Sequence, residues 1–174
     1  MSHFSRLLPC CLLLAACLPL TGCPKAGPSI ACVDVERVMT QSKAAQQANE
    51  HLNKVQAVLQ DSLTAYQKEL QKSPASRRQQ ELQQGMAVLQ RQMALEQAAA
   101  RNVVSRHMLN NIEEWRASKG DAVVIARQNL LAAPASADIS DDIIARMDAG
   151  SVTFPELPKV NIRAGGSTTP ASRK

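Results

Sequence analysis

Aromatic side chains are scarce in this chain of 174 residues, which contains one Trp, one Tyr and two Phe. Because aromatic residues bury the largest areas in globular cores, such a chain is not expected to build a large compact core. Helix packing and association between chains must then supply much of the stability. A lack of rings on which bases could stack also argues against a nucleic-acid partner, although the formal net charge is +5.

A disulfide framework is not expected either, although the sequence contains five Cys. Cys10, Cys11 and Cys17 lie in an apolar N-terminal segment that is typical of a cleaved export signal. Cys23 ends a lipobox-like sequence after that segment and is expected to be blocked by lipid. That leaves Cys32, which alternates with apolar neighbours in a predicted strand. We therefore interpret Cys32 as a small buried hydrophobic residue rather than a reactive thiol.

Catalytic signatures are lacking as well, since the sequence has no glycine-rich phosphate loop and no nucleophile motif. His51 and His107 lie on different predicted helices, and neither has a Cys or carboxylate at metal-ligand spacing. The pair Glu113-Glu114 is most simply a solvated helix face. The sequence therefore predicts a protein that is not an enzyme and that uses no cofactor and no metal.

The N-terminus is typical of a bacterial secretory signal. Arg6 precedes the apolar run Leu7 to Leu20, which is too short to span a bilayer comfortably. The run ends in Leu20-Thr21-Gly22-Cys23, which resembles a lipobox. This resemblance implies that residues 1–22 are removed and that Cys23 carries lipid. The alternative is an ordinary cleaved signal followed by an incidental cysteine.

An acylated Cys23 would tether the mature protein to a membrane without spanning it, because the lipid chains themselves provide the anchor. Residues 23–29 would then form a short tether. Lipoproteins kept at the inner membrane usually carry Asp after the modified Cys, whereas this chain carries Pro24. The expected location is the periplasm, at the inner leaflet of the outer membrane.

Two short apolar strands, Ile30 to Val35 and Ala122 to Ala126, enclose a long Gln- and Ala-rich helical stretch. Strands so far apart in sequence can pair only if the chain between them returns. We therefore predict an α+β fold, mostly α, in which a long antiparallel coiled-coil hairpin projects from a small sheet. The body comprises residues 30–39 and 120–150, and the helical arms comprise residues 40–119.

The outgoing helix is predicted from Thr40, because Ala, Gln, Leu, Lys and Glu dominate and no proline interrupts them before Pro74. The segment Lys72 to Ser76 should form the hairpin tip, with Ser73 as the N-cap of the next helix. Apolar residues at spacings of three and four form the seam of the first arm: Ala45, Ala48, Leu52, Val55, Leu59, Leu63, Tyr66 and Leu70.

The returning helix is predicted from about Ala75 to Ser118, and Gly120 ends it. Each arm would be about 50 to 60 Å long at the α-helical rise. The methionines could be adaptable contact residues, although we favour the simpler interpretation that they fill the seam. The predicted seam comprises Leu82, Met86, Leu89, Met93, Ala100, Val104, Met108, Ile112 and Trp115.

After the second strand, the polar turn Arg127 to Asn129 should lead to a second short strand or extended segment over Leu130 to Ala133. A short helix is predicted over Ile139 to Ala149, capped by Ser136 or Asp138. Residues 151–174, and in particular Phe154 to Lys174, are rich in Pro, Ser, Thr and Gly and are expected to be a flexible, solvated tail.

Basic residues concentrate near the predicted hairpin tip and could attract acidic partners or anionic lipid. The alternative for any one of them is an ordinary solvated helix face. With two methionines they form our candidate binding set: Lys68, Lys72, Arg77, Arg78, Met86, Arg91 and Met93. Further basic residues follow at Arg101, Arg106 and Arg116.

The order of these parts resembles the Skp/OmpH family of periplasmic chaperones. The resemblance begins with Ile30-Ala31-Cys32-Val33-Asp34-Val35-Glu36-Arg37-Val38-Met39, which is similar to the family's first strand and helix entry. It continues through the arms and the strand Ala122 to Ala126. It ends with Asp138-Ile139-Ser140-Asp141-Asp142-Ile143-Ile144-Ala145-Arg146-Met147, which is similar to the closing helix.

The resemblance implies a homotrimer whose arms enclose unfolded outer-membrane proteins, without ATP and without an active site. This chain would differ from the soluble members of the family in being tethered through Cys23. No lipopolysaccharide site is carried over, since no residue-level motif can be matched. The sequence thus predicts a lipid-anchored periplasmic holdase, and the alternative is a structural or adaptor coiled-coil lipoprotein that docks one folded envelope partner.

Overall fold

The computed structural model describes residues 29–163. The predicted signal, the lipobox with Cys23 and the last part of the tail lie outside these residues. The chain is mostly helical within this range. Its elements are β1 (Ile30–Val33), α1 (Val35–Gln41), α2 (Lys43–Leu70), α3 (Ala75–Ser118), β2 (Val123–Ala126) and α4 (Ser140–Ala149), with single 3-10 turns at Arg127–Asn129 and Ala135–Ala137.

The two strands pair in parallel, with Ile30 opposite Val123 and Val33 opposite Ala126. The pairing of distant strands around a returning hairpin is therefore confirmed. The first strand is shorter than predicted, because Asp34 is the N-cap of α1 and its carboxylate accepts a hydrogen bond from the backbone N–H of Arg37 at 2.9 Å. This cap stops the strand before Val35.

Helices α2 and α3 form the predicted antiparallel hairpin and are called the arms. At the α-helical rise, the 28 residues of α2 span about 42 Å and the 44 residues of α3 about 66 Å. The hairpin tip is confirmed between Leu70 and Ala75. The predicted capping residue was wrong: the N-cap of α3 is Pro74, and no side chain caps this end.

The outgoing helix is interrupted near its start, which the sequence analysis did not predict. Ser42 has extended backbone angles, and its hydroxyl accepts a hydrogen bond from the backbone N–H of Ala45 at 3.3 Å. Asp148, at the end of α4, accepts another from the N–H of Lys43 at 2.7 Å. A cap from a residue distant in sequence therefore stabilises a second helix start within a run of helix-forming residues.

Gly120 follows the end of α3 and has a φ of 72°, a left-handed conformation that glycine adopts without strain. The segment after β2 forms a 3-10 turn and then no second strand, so of the two predicted alternatives the strand was wrong. Helix α4 has Ile139 rather than Ser136 or Asp138 as its N-cap. Asp138 nevertheless accepts a hydrogen bond from the backbone N–H of Ser140 at 2.9 Å.

The core of the body lies where β1, β2, α1, α4 and the adjoining ends of the arms meet. We call β1, β2, α1 and α4 the body. Its core is aliphatic with a single ring system, that of Trp115. Cys32 is buried as predicted. The most deeply buried members of the core are Val33, Val38, Ala100, Val104, Ile143 and Met147.

The chain after α4 does not match the expected solvated tail as far as residue 163. Residues 151–163, which we call the C-terminal strap, have no helix or strand but pack against the protein. Val152 and Phe154 contact the core of the body, and Val160 and Ile162 contact the arms. Apolar residues within a Pro-containing segment thus find a surface to cover.

Candidate functional site

The arms are the part of the molecule with the most surface outside the core, and their facing stripes form a regular seam. Every predicted seam position of α2 is buried or half-buried. The same is true of α3 except at Met86, which is 42% exposed and lies outside the seam. Gly85 occupies that level of the seam instead, directly against the ring of Tyr66.

The contact between Tyr66 and Gly85 fixes the register of the arms close to the tip. A β-carbon at Gly85 would lie 2.2 Å from Cε1 of Tyr66. The Tyr66 hydroxyl donates a hydrogen bond to the backbone carbonyl of Glu81 at 2.8 Å. Burial raises the pKa of Tyr66, and the nearby carboxylates of Glu81 and Glu69 raise it further, so the hydroxyl stays protonated.

Two polar residues also occupy seam positions that the apolar pattern left empty. Glu96 is 1% exposed, and its Oε1 accepts a hydrogen bond from Nε2 of Gln92 at 2.7 Å. Asn111 is buried and donates a hydrogen bond to the carbonyl oxygen of His107 at 2.8 Å. Glu96 lies seven residues after Leu89 and four before Ala100, and Asn111 lies between Met108 and Trp115 at spacings of three and four, so the seam continues through them.

Midway along the arms, three buried residues form a second core, which we call the mid-arm cluster: Val55, Leu59 and Leu89. Leu63 and Met93 pack against its sides, and Val160 and Ile162 of the C-terminal strap also pack against it. The hydroxyl of Ser62 donates to the carbonyl oxygen of Val58 at 2.8 Å and, more weakly, to that of Val160 at 3.3 Å. A groove of about 420 Å³ lies beside this contact, between α2 and residues 160–163.

The basic residues in the candidate set are all exposed, and they lie on both sides of the hairpin tip: Lys68, Lys72, Arg77, Arg78 and Arg91. Arg78 behaves differently. Its guanidinium donates hydrogen bonds to the carbonyl oxygens of Ser73 at 2.9 Å and Gln71 at 3.1 Å. Arg78 therefore satisfies carbonyl groups that the end of α2 leaves open, which is a structural role.

The methionines divide between the two roles that the sequence left open. Met93 is half-buried against the mid-arm cluster, and Met108 is buried in the core of the body, so both fill space. Met86 is exposed and belongs with the possible contact residues. The simpler interpretation, that the methionines fill the seam, therefore holds for Met93 and Met108 but not for Met86.

Sequence reasoning missed two exposed apolar residues on the long returning arm. Leu95 is 53% exposed and Leu109 is 55% exposed. They are separated by fourteen residues, which is two heptads, so they lie on the same side of α3. In the sequence, each of them is an apolar residue out of phase with the seam, so the apolar periodicity of α3 did not include it.

The more proximal basic residues include a local ion pair. Arg116 donates to both carboxylate oxygens of Glu113, at 2.5 and 2.8 Å. This hydrogen bonding lowers the pKa of Glu113 and raises that of Arg116. Arg101 and Arg106 are exposed. The Arg116 charge is thus partly offset, whereas Arg101 and Arg106 extend the basic surface of α3.

Both described histidines contribute to packing. The ring of His51 stacks on Phe154 of the C-terminal strap, with centroids 5.2 Å apart, and Nε2 of His107 lies 3.0 Å from the carbonyl oxygen of Met147. Residues 29–163 contain no group of three or more His, Cys, Asp or Glu side chains placed to share a metal ion. Over the same residues, no helix is both long and apolar enough to cross a membrane.

The model of the family described as outer membrane protein (OmpH-like) matches residues 29–147, which are most of the chain. The chain belongs to the OmpH-like family. The OmpH-like match includes both strands, both arms and most of α4, so it spans the arrangement described above. It ends before the C-terminal strap, which lies outside the part shared with the family.

Among solved structures, the chain is similar to a proposed OmpH-like outer membrane chaperone from Caulobacter crescentus CB15. The identity is 19%, the TM-score is 0.39, and the match covers 71% of this chain and 86% of the other. A search of curated proteins gives no match.

Proposed function

We propose that this OmpH-like protein is an ATP-independent holdase chaperone of the periplasm that keeps unfolded outer-membrane proteins from aggregating. Membership of the family supports a chaperone role in general terms. The observation that carries the finer proposal is the exposed apolar and basic surface of the arms. Long helices whose outer faces are exposed within residues 29–163 are suited to many weak contacts with variable clients.

Contacts with clients would be of two kinds. Met86, Leu95 and Leu109 offer apolar side chains at intervals along α3, and a flexible thioether suits contacts with varied sequences. Lys72, Arg77 and other exposed basic residues would attract acidic segments of the client at longer range. Since each contact is weak, and the charged contacts are also partly screened by salt, no single residue is essential to the holdase.

The arm surface can be tested by removing its apolar side chains. The double variant Leu95→Ser with Leu109→Ser should suppress aggregation of a urea-unfolded outer-membrane β-barrel with about threefold to tenfold weaker apparent affinity, because exposed client contacts are lost. Leu131→Ser is the matched control, since Leu131 is fully exposed in the segment between β2 and α4. Equal suppression by all three proteins would reject the arm surface as the client site.

We also propose that Cys23 anchors the protein by lipid to the inner leaflet of the outer membrane. The lipobox resemblance of residues 20–23 supports this. The anchor would hold the arms beside the membrane into which clients insert. Replacing Cys23 with Ser should move the protein from the membrane fraction to the soluble periplasmic fraction, and unchanged fractionation would refute the anchor.

Assembly as a homotrimer is part of the same proposal. The two-stranded sheet supports it, because a sheet this small is marginally stable by itself and one of its ends exposes the paired residues Ile30 and Val123, which are 60% and 46% exposed. A trimer would cover such surfaces and arrange three pairs of arms around one space.

A structural adaptor remains the second candidate, because a closed coiled coil could equally dock one folded envelope partner. The mid-arm cluster and the regular seam would serve such a spacer equally well. The aggregation experiment separates the two, since an adaptor of this kind would not suppress aggregation of unrelated unfolded proteins.

A further inference from the structure

The C-terminal strap lies along the arms in a way that resembles a bound peptide. Phe154 stacks on His51, and the carbonyl oxygen of Val160 lies 3.3 Å from the hydroxyl of Ser62. Between these contacts, α2 rises about 16 Å and an extended chain of six residues covers about 20 Å. The strap therefore runs beside α2 in an extended form, from the body towards the tip.

Over residues 157–163 the strap alternates between residues that face the protein and residues that face solvent. Residues 157, 159, 161 and 163 are exposed, whereas Pro158, Val160 and Ile162 are buried or half-buried. Val152 and Phe154 are half-buried on either side of the exposed residue 153, and the half-buried Pro155 and exposed Glu156 interrupt the alternation. Such a period of two is the pattern of an extended chain lying on a surface. Prolines at 155 and 158 favour this extended form, since proline fixes φ and cannot continue a helix.

The surface that the strap covers is mainly apolar, and its polar contact through Ser62 is with the main chain of the strap. The mid-arm cluster accepts Val160 and Ile162, with Leu63 and Met93 at its sides. The hydroxyl of Ser62 donates chiefly to the carbonyl oxygen of Val58 in its own helix, at 2.8 Å, and makes a longer contact of 3.3 Å with a backbone carbonyl of the strap, which any residue could supply. A surface of this kind selects for alternating apolar side chains and not for a particular sequence.

We propose that this surface is a binding site for extended chains with apolar residues at alternate positions, and that the C-terminal strap is its internal occupant, which clients must displace. The inference rests on the proposed holdase function. Strands of outer-membrane barrels alternate apolar and polar residues with the same period. The strap thus presents apolar residues with the spacing of a client strand, and a client can bind the surface only after the strap has left it.

Competition of this kind has a measurable consequence. A site open for only a fraction of the time binds a ligand with an apparent dissociation constant raised by the inverse of that fraction. Weakening the strap should therefore strengthen binding of any extended chain that uses the same surface. If the strap only stabilises the fold, weakening it should leave such binding unchanged or reduce it.

The first experiment measures binding of the strap itself supplied as a separate molecule. The probe is a fluorescein-labelled synthetic peptide with the sequence of residues 150–163, and the readout is fluorescence anisotropy. The mature chain is compared with Val160→Ser/Ile162→Ser, which weakens the attached strap, and with the control Leu157→Ser/Asn161→Ser, whose residues are exposed. Circular dichroism checks that all three proteins are equally helical.

We expect the Val160→Ser/Ile162→Ser variant to bind the peptide at least about fivefold more tightly than either other protein, since two apolar contacts of the internal competitor are lost. Equal binding by all three proteins, or no binding by the folded variant, would overturn the inference.

The second experiment separates this inference from the holdase proposal. The same three proteins are mixed with a urea-unfolded outer-membrane β-barrel, and light scattering is followed with and without excess peptide. The inference expects stronger suppression by the Val160→Ser/Ile162→Ser variant, reversed by the peptide. Peptide binding without suppression by any protein would reject the holdase and keep the proposed binding surface. Suppression that the peptide does not affect would reject competition for that surface while the holdase stands.

Discussion

At the residue scale, the body is joined by a chain of hydrogen bonds through Ser140. Its hydroxyl accepts from the backbone N–H of Asp34 at 2.8 Å and donates to Oδ1 of Asp138 at 2.6 Å. Arg127 pairs with the other carboxylate oxygen of Asp138. Ser140 is fully buried. Four residues thus connect the end of β1, the turn after β2 and the start of α4.

This network makes the stability of the body depend on pH through Asp138. Hydrogen bonding from Ser140, together with the charge of Arg127, lowers the pKa of Asp138. A carboxyl group whose pKa is lower in the folded state stabilises the fold above its unfolded pKa. This stabilisation begins to be lost as the pH falls below the unfolded value of about 4, and it is gone once the pH is below the folded pKa.

The variant Asp138→Asn should therefore be less stable than the wild type by roughly 1–2 kcal/mol at pH 7, where it loses charge-assisted hydrogen bonds. The difference should shrink as the pH is lowered from 5 to 2.5 in urea unfolding experiments. Asp121→Asn serves as the control, since Asp121 is exposed and should change stability little at any pH. A difference that stays constant with pH would contradict the assigned role.

At the scale of the elements, the contact of Tyr66 with Gly85 predicts that Gly85→Ala lowers the stability of the wild type but raises the stability of a Tyr66→Ala variant. Gly85→Ala should destabilise the hairpin by about 1–2 kcal/mol, because the new methyl group would overlap a ring that its hydroxyl holds in place. The higher helix propensity of Ala offsets only about 1 kcal/mol.

In a Tyr66→Ala background the ring is absent, and the same Gly85→Ala change should stabilise the protein through helix propensity, by up to about 1 kcal/mol. Thermal unfolding of the four proteins in this cycle measures both effects. If Gly85→Ala had the same effect in both backgrounds, the packing explanation would fail.

How far the sequence predicted these elements depends on how local their causes are. The seam of α2 and the tip near Pro74 follow from spacing and proline chemistry, and both were predicted correctly. The break at Ser42 was missed because part of its cap comes from Asp148, more than a hundred residues away in the chain. A local pattern cannot report such a partner.

The candidate site was predicted less completely, for similar reasons. The basic residues near the tip are exposed as expected, but Arg78 turned out to satisfy carbonyl groups of the tip. The C-terminal strap was expected to be solvated because its composition is rich in proline and polar residues. Its alternating apolar residues become meaningful only once the mid-arm cluster provides a surface for them.

At the scale of the whole molecule, the proposed trimer should depend on the exposed end of the sheet, where Ile30 pairs with Val123. The mature protein should have the mass of three chains in multi-angle light scattering. Val123→Asp should lower that mass, because a charge would lie where chains meet without a partner. Leu109→Asp is the control, since it makes the same kind of change on an equally exposed arm residue. A monomeric wild type would reject the trimer.

The proposed capture of unfolded outer-membrane proteins by the arms can be measured by light scattering. A urea-unfolded outer-membrane β-barrel is diluted into increasing amounts of the protein beginning just after Cys23. We expect suppression of aggregation that saturates near three chains per client, without ATP. Undiminished aggregation in the presence of folded protein would contradict it and favour an adaptor that docks a single folded partner.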